Sequence, residues 1–286
     1  MDKLEIRQLA ARYCFYLGLI AVFFILPEQG MAARSPAENT IETHHSVYVG
    51  GLYLGGITTQ IEQDGNRYKI DSAAMTSKAF EWALSWIANG ETIGIVDPGK
   101  FSPLVHEHES AWNKKLRTVK MDYDKSGKIT VERSGKRSSN PNKYVPIDPK
   151  SLPNSIDPMT AMLAASSRLE AGKDCTMDLP VFDGERRYDV HLTQKGERVF
   201  KPSRYSVFSG PAVGCKIDVT KKGGFKKDSI NQNNLTQEFV VWAAAPVSGG
   251  RVVPVRMEVS TEFGVLELHL DRYHEGGINL VSRNLK

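Results

Sequence analysis

The dominant pattern in this chain is an alternation of apolar and polar residues with period two, the signature of a half-buried β-strand. Val119, Met121 and Tyr123 alternate with Lys120, Asp122 and Asp124; after the turn Lys125-Ser126-Gly127, Ile129 and Val131 return on the apolar face. Further on, Tyr188, Val190 and Leu192 face inward and Arg187, Asp189 and His191 outward, following a strand from Met177 to Phe182 and the turn Asp183-Gly184. Lys201 to Phe208, Cys215 to Val219, Glu238 to Ala244, Val253 to Ser260 and Val265 to Leu270 complete the later set, with Val255, Met257 and Val259 opposing Leu266, Leu268 and Leu270 in a last hairpin. Near the start, Tyr48 to Gln63 reads as one strand broken by Gly50-Gly51 and Gly55-Gly56, paired glycines that suggest bulges or sharp coiling. Asp64-Gly65 signals a hairpin; Arg67 to Ala73 runs back with Tyr68 and Ile70 on one face, and Thr92 to Val96 is a short strand. Phe80 to Ile87 fits both a short helix and a strand end.

One segment breaks the pattern. Asp157 is a favoured N-cap, Pro158 a favoured first helical residue, and Met159 to Leu169 holds strong helix formers before Gly172. The expected fold is mostly β: a single antiparallel, strongly curved sheet, barrel-like or spiral, of about ten to twelve strands with one short helix. No linker divides the chain, so residues 45–286 are expected to form one β-rich domain.

The first residues follow other rules. Lys3, Arg7 and Arg12 precede an unbroken apolar run from Tyr13 to Leu26, and Gly30-Met31-Ala32 supplies small residues after it. A basic head, a short apolar middle and a small-residue exit make a signal peptide over residues 1–33, followed by a polar segment, 34–44, expected to be disordered. The alternative is an uncleaved membrane anchor, although spanning takes about 20 apolar residues. Export to the periplasm follows. Cys14 leaves with the signal, and Cys175 and Cys215 remain as an even pair in an oxidising compartment. If paired they close a loop of 40 residues (215 − 175), a contribution on the order of 3–4 kcal/mol; the alternative is two free buried thiols.

Charge and chemistry bound the function. Between Asn113 and Pro146 ten Lys or Arg face three acids, the surplus being carried by Lys114, Lys115, Arg117, Lys120, Lys128, Arg133, Lys136 and Arg137 among others. An exported protein meets no nucleic acid, which leaves an anionic membrane surface, an acidic partner or simply a solvated hairpin. There is no Gly-x-Ser-x-Gly elbow, no Ser-x-x-Lys, no His-Glu-x-x-His and no phosphate-cradling loop. His106 and His108 alternate and so share one face of a strand, with Glu107 and Glu109 near: half of a zinc or copper site. Asp183, Glu185, Arg186 and Arg187 gather at a turn, where an aspartate ordinarily bonds its own backbone; Asp183 and Tyr188 are expected to serve folding. Phe80, Trp82, Trp86 and Met75 are candidates for an apolar ligand groove, with core packing as the plain alternative. No cofactor is expected.

Several segments together resemble a family catalogued as domain of unknown function 3108: Tyr48-Val49-Gly50-Gly51-Leu52-Tyr53-Leu54-Gly55-Gly56, Asp157-Pro158-Met159-Thr160-Ala161, Pro180 to Asp189, Cys215, Trp242 and Val253 to Glu258. The resemblance spans residues 45 to 272 and implies an exported protein of Gram-negative bacteria with an antiparallel barrel-like or spiral sheet, similar in outline to the half-barrels of periplasmic lipoprotein carriers. It supplies no catalytic residues. An envelope-integrity family of unknown function, with a β-spiral and one disulfide, is similar too; the order of the segments favours the first. The expected role is a non-catalytic envelope protein binding an apolar, lipid-like ligand or a protein partner on its curved sheet. The alternatives are a metal-assisted envelope hydrolase using His106 and His108, and a structural protein tethered to anionic membrane by the basic hairpin.

Overall fold

The computed structural model describes residues 39–82, 85–97, 100–135, 140–230, 238–261 and 264–283. The proposed signal peptide, Lys136 and Arg137 lie outside them. Two antiparallel meanders make one sheet. The first runs β1 (Thr40–Val49), β2 (Leu52–Asp64), β3 (Arg67–Thr76), β4 (Trp86–Asp97), β5 (Lys100–Trp112), β6 (Lys115–Tyr123) and β7 (Ile129–Ser134). After helix α1 (Pro158–Glu170) come β8 (Met177–Phe182), β9 (Arg187–Phe200), β10 (Gly210–Gly223), β11 (Phe239–Ala244), β12 (Val253–Thr261), β13 (Gly264–Glu275) and β14 (Ile278–Val281). β1 pairs with β13 and so fuses the meanders into a 14-stranded sheet, with β7 and β8 at its two ends and β14 added beside β13. The count exceeds the ten to twelve expected, chiefly because β5 and β14 lack a run of alternating apolar residues.

The curvature is visible in what packs against what. Phe182 at the end of β8 is buried against Val119 and Met121 of β6, so the two ends of the sheet meet through side chains. No ladder joins β7 to β8 among the described residues. A Cβ on Gly184 would lie 2.2 Å from a Val119 methyl, and the residue has φ +81°; only glycine suits both the turn and this close approach. The segment before α1 covers the β8 edge: Ile156 N–H donates to Pro180 O and Phe182 N–H to Ile156 O, both at 2.9 Å.

Helix α1 lies inside the curve. Asp157 caps it, accepting from Met159 N–H at 2.9 Å and Thr160 N–H at 3.1 Å, with Pro158 at the first position. Met159 and Leu163 pack with Ile61, Tyr68, Ile70 and Ala88 of the first meander. Ala161 packs with Leu179, Val181, Val190, Leu192 and the Cys175–Cys215 disulfide of the second. The helix thus cores both halves.

Four expectations need correction. Tyr48 to Gln63 is two strands, because Gly50 and Gly51 both take positive φ and turn the chain; Gly55 and Gly56 do sit beside a bulge, between Val47 and Tyr48 of the partner strand. Residues 40–44 belong to β1, Thr40 paired with β2 and residues 41–44 paired on both sides, and are not part of a disordered segment. Lys201 to Phe208 is a loop across the outer face: Ser206 Oγ and Val207 N–H both donate to Leu270 O, and Phe208 packs with Trp242 and Val255. Arg187 does not face solvent; it is buried and donates to Ser151 O at 2.9 Å and to Asp189 at 2.6 Å.

Candidate functional site

The inner faces of the strands and one side of α1 line a partly open apolar pocket of about 150 Å³. The helix contributes Ala161, Met162, Ala165 and Ser166; the sheet contributes Leu179, Val190, Leu192, Ile217, Val241 and Met257 among others. The cause is local. Helical spacing places Ala161, Met162, Ala165, Ser166 and Leu169 on one side of α1, while Leu163 packs on the other and Met159 reaches both. Small side chains opposite a curved wall leave a void that backbone curvature cannot close. Its few polar groups include Thr59 and Ser72, whose hydroxyls bond each other at 2.9 Å. A pocket lined this way accepts apolar guests; at this volume it is smaller than pockets that enclose whole drug-sized ligands, roughly 300–1,000 Å³.

A second feature lies where the ends of the sheet meet. Asp157, Thr92, His106 and Thr160 are fully buried together. Thr92 Oγ donates to Asp157 Oδ1 at 3.0 Å, Thr160 Oγ donates to Oδ2 at 2.5 Å, and Tyr68 and Thr160 hydroxyls lie 2.8 Å apart. A hydroxyl has one proton, so Thr92 accepts from His106 Nδ1 at 2.7 Å. His106 Nε2 then faces His108 Nδ1 at 3.3 Å. Burial alone would raise the Asp157 carboxyl, but His106 and the hydrogen bonds from Thr160 hold it below the usual carboxylate range. Burial, then His106 and Arg186, push His108 well below the usual histidine value. At the adjoining turn Asp183 accepts from the N–H groups of Glu185 and Arg186, as expected of a turn aspartate; burial is the main cause that raises its carboxyl, and burial likewise raises the Tyr188 phenol.

This seam ties the start of α1 to β3, β4 and β5. In a hydrolytic triad the imidazole stands between hydroxyl and carboxylate. Here Thr92 Oγ meets both His106 Nδ1 and Asp157 Oδ1, and His106 Nδ1 itself lies 3.4 Å from Asp157 Oδ1. A further cluster, with no sequence signal, centres on Asp271: Ser46 Oγ donates to one carboxylate oxygen, and His44 Nδ1 meets the other at 2.5 Å. Asp271 is the extra residue of a bulge opposite His44 and His45, a register detail that pattern alone does not reveal.

His106 and His108 are adjacent, as their spacing requires, but Glu107 points away and pairs with Lys120. Among the described residues no group of three His, Cys, Asp or Glu could hold a metal. Of the apolar groove candidates, Trp86 packs against the core, Trp82 is half exposed and Met75 is exposed on β3. Lys114 and Lys115 are exposed at the β5–β6 turn, and Lys128 and Arg133 are exposed on and beside β7. Cys175 and Cys215 form a disulfide, and Cys215 lines the cavity.

Residues 44–271 match the family described as "Protein of unknown function (DUF3108)". Among solved structures the chain is similar to a beta-barrel-like protein of domain of unknown function DUF1849 from Brucella abortus, with 12% identity, 83% of this chain and 98% of that chain covered, and a TM-score of 0.49. No curated protein matches it.

Proposed function

This chain belongs to the DUF3108 family of unknown function, and from that premise we propose that it is an exported, non-catalytic envelope protein holding an apolar ligand inside its curved sheet. The apolar cavity beside α1 carries this reading. Its volume suits a single ring or the end of a hydrocarbon chain, so a lipid-like ligand would insert one tail and leave its polar part outside. The N-terminal pattern of basic head and apolar run supports export, and a disulfide supports an oxidising compartment.

Native mass spectrometry of the protein extracted from its own envelope tests the reading. The wild type is expected to carry an organic adduct that is absent in Ala165→Leu, whose added side chain fills the cavity. A bare mass for both, together with no uptake of a fluorescent apolar probe by the wild type, would sink it. A metal adduct would instead favour the hydrolase built on His106 and His108.

A further inference from the structure

Six of the eight large apolar side chains exposed among the described residues stand on one rim of the sheet: Leu52, Tyr53, Met75, Trp82, Leu116 and Val265. Their strands place them there. Leu52 follows the β1–β2 turn, Met75 ends β3, Leu116 opens β6 and Val265 opens β13. Neighbouring strands are in register at this end, with Val49 opposite Leu266, Met75 opposite Ile87 and Trp112 opposite Lys115. Trp86 and Trp112, both half-buried, oppose each other directly, so three of the chain's four tryptophans lie on this rim. These side chains project from successive turns and strand ends.

Cations alternate with them. Residues 76–82 and 112–117 contain Lys78, Lys114, Lys115 and Arg117 against Glu81 alone. Lys78, Lys114 and Lys115 are exposed. Tryptophan and tyrosine with lysine at the same level is the composition of a membrane–water interface, where amphipathic rings sit among head groups and lysines meet lipid phosphates. We propose that this rim docks the protein on an anionic lipid bilayer, its apolar tips entering the head-group region and its lysines pairing with phosphate. The proposal is independent of the cavity. It commits to a bilayer because Met75, Trp82 and Leu116 stand among Lys78, Lys114, Lys115 and Arg117 on the β3–β6 part of the rim, an arrangement complementary to an anionic plane.

The test is co-sedimentation of the full chain with vesicles of phosphatidylcholine, with and without phosphatidylglycerol. Every variant carries the same N-terminal apolar run, so differences between variants report the rim. Lys78→Gln with Lys115→Gln is expected to weaken binding to the anionic vesicles by about fivefold per cation, an effect that shrinks as salt rises. Met75→Gln with Leu116→Gln is expected to weaken it on the order of tenfold, with an unchanged near-ultraviolet spectrum confirming the fold. Lipids brominated near the head group should quench tryptophan fluorescence, and Trp82→Phe should remove most of that quenching. Equal binding by wild type and both double variants overturns the proposal. So does a dimer that both double variants dissociate without vesicle binding, which would assign the rim to a second copy.

Discussion

Acid should unfold this protein through its buried histidines, and His45 gives the sharpest test. Its side chain is 5% exposed, and Nε2 donates to Pro254 O at 2.8 Å. Burial foremost, then the neighbouring His44 and His269, outweigh that hydrogen bond and Asp271 and push the imidazole down to about 4 from 6.5. A group whose folded value is depressed gives its full stabilisation above its unfolded value and loses it as pH falls toward the folded one. In that window the unfolded chain binds the proton that the folded chain refuses. With each unit worth about 1.4 kcal/mol, His45 should cost about 2 kcal/mol of stability between pH 7 and pH 5, and about 3 kcal/mol by pH 4. Urea unfolding followed by tryptophan fluorescence across this range, on the wild type and on His45→Gln, measures it. Glutamine can still donate to Pro254 O but does not titrate, so its curve should be flatter by about that amount, whatever it loses at neutral pH. Parallel curves would refute the reasoning.

Further outcomes follow from the seam, the disulfide and the close contacts. Cys175→Ser and Cys215→Ser should destabilise equally, by on the order of 3–4 kcal/mol, since either removes the same bridge; unequal midpoints in denaturant would argue against that account. Asp157→Ala should cost about 3–5 kcal/mol, combining a lost N-cap with hydroxyls of Thr92 and Thr160 left unpaired in the interior, whereas Asp157→Asn should retain the cap and cost less in thermal unfolding. Because the Asp157 carboxyl is held below the usual range, its contribution is complete above about pH 4 and is lost only as pH falls below that, a second acid transition that Asp157→Asn should lack. Gly94→Ala should lower the unfolding midpoint strongly, because the new Cβ would stand 2.2 Å from the Tyr68 ring, itself fixed to Thr160.

The parts of this fold that are written locally could be read locally. Asp157-Pro158 announced a helix start because capping and proline geometry need only four residues. Asp64-Gly65 and Lys125-Ser126-Gly127 announced turns for the same reason. Lys201 to Phe208 misled because its spaced apolar residues pack on the outer face through a bond to Leu270, a partner more than sixty residues away. Thr40 to His44 was hidden by polar side chains, although threonine and isoleucine are good strand formers and β2 and β13 both claim it. Arg187 obeyed the alternation, yet the chain around Ser151 covers it. The cavity had no signature at all: its walls are ordinary side chains of one helix, Ala161, Met162, Ala165 and Leu169 among them, and ordinary inward residues from strands that only the curve brings opposite.

That absence of signature is itself informative about energy. A sealed void of 150 Å³ would cost about 3–4 kcal/mol at roughly 24 cal/mol per Å³, and the partly open pocket beside α1 costs less than that, still a noticeable share of the 5–15 kcal/mol that stabilises a typical domain. The helix is held in place by the Asp157 network at its start and by Glu170, which accepts from Arg251 Nε at 3.2 Å and Val252 N–H at 3.0 Å, at its end. Pinned at both ends, it cannot sink into the wall and close the gap. An occupant of the cavity would recover the missing contacts, and so would a larger side chain. Ala165→Leu adds three carbons worth about 0.8 kcal/mol each if all are buried, so the ligand-free variant should be about 1–2 kcal/mol more stable than the ligand-free wild type after some repacking strain. The wild type alone should gain in midpoint when an apolar ligand is added. If Ala165→Leu lost stability instead, the space beside α1 would be already filled by breathing of its own walls, and the ligand reading would lose its physical basis.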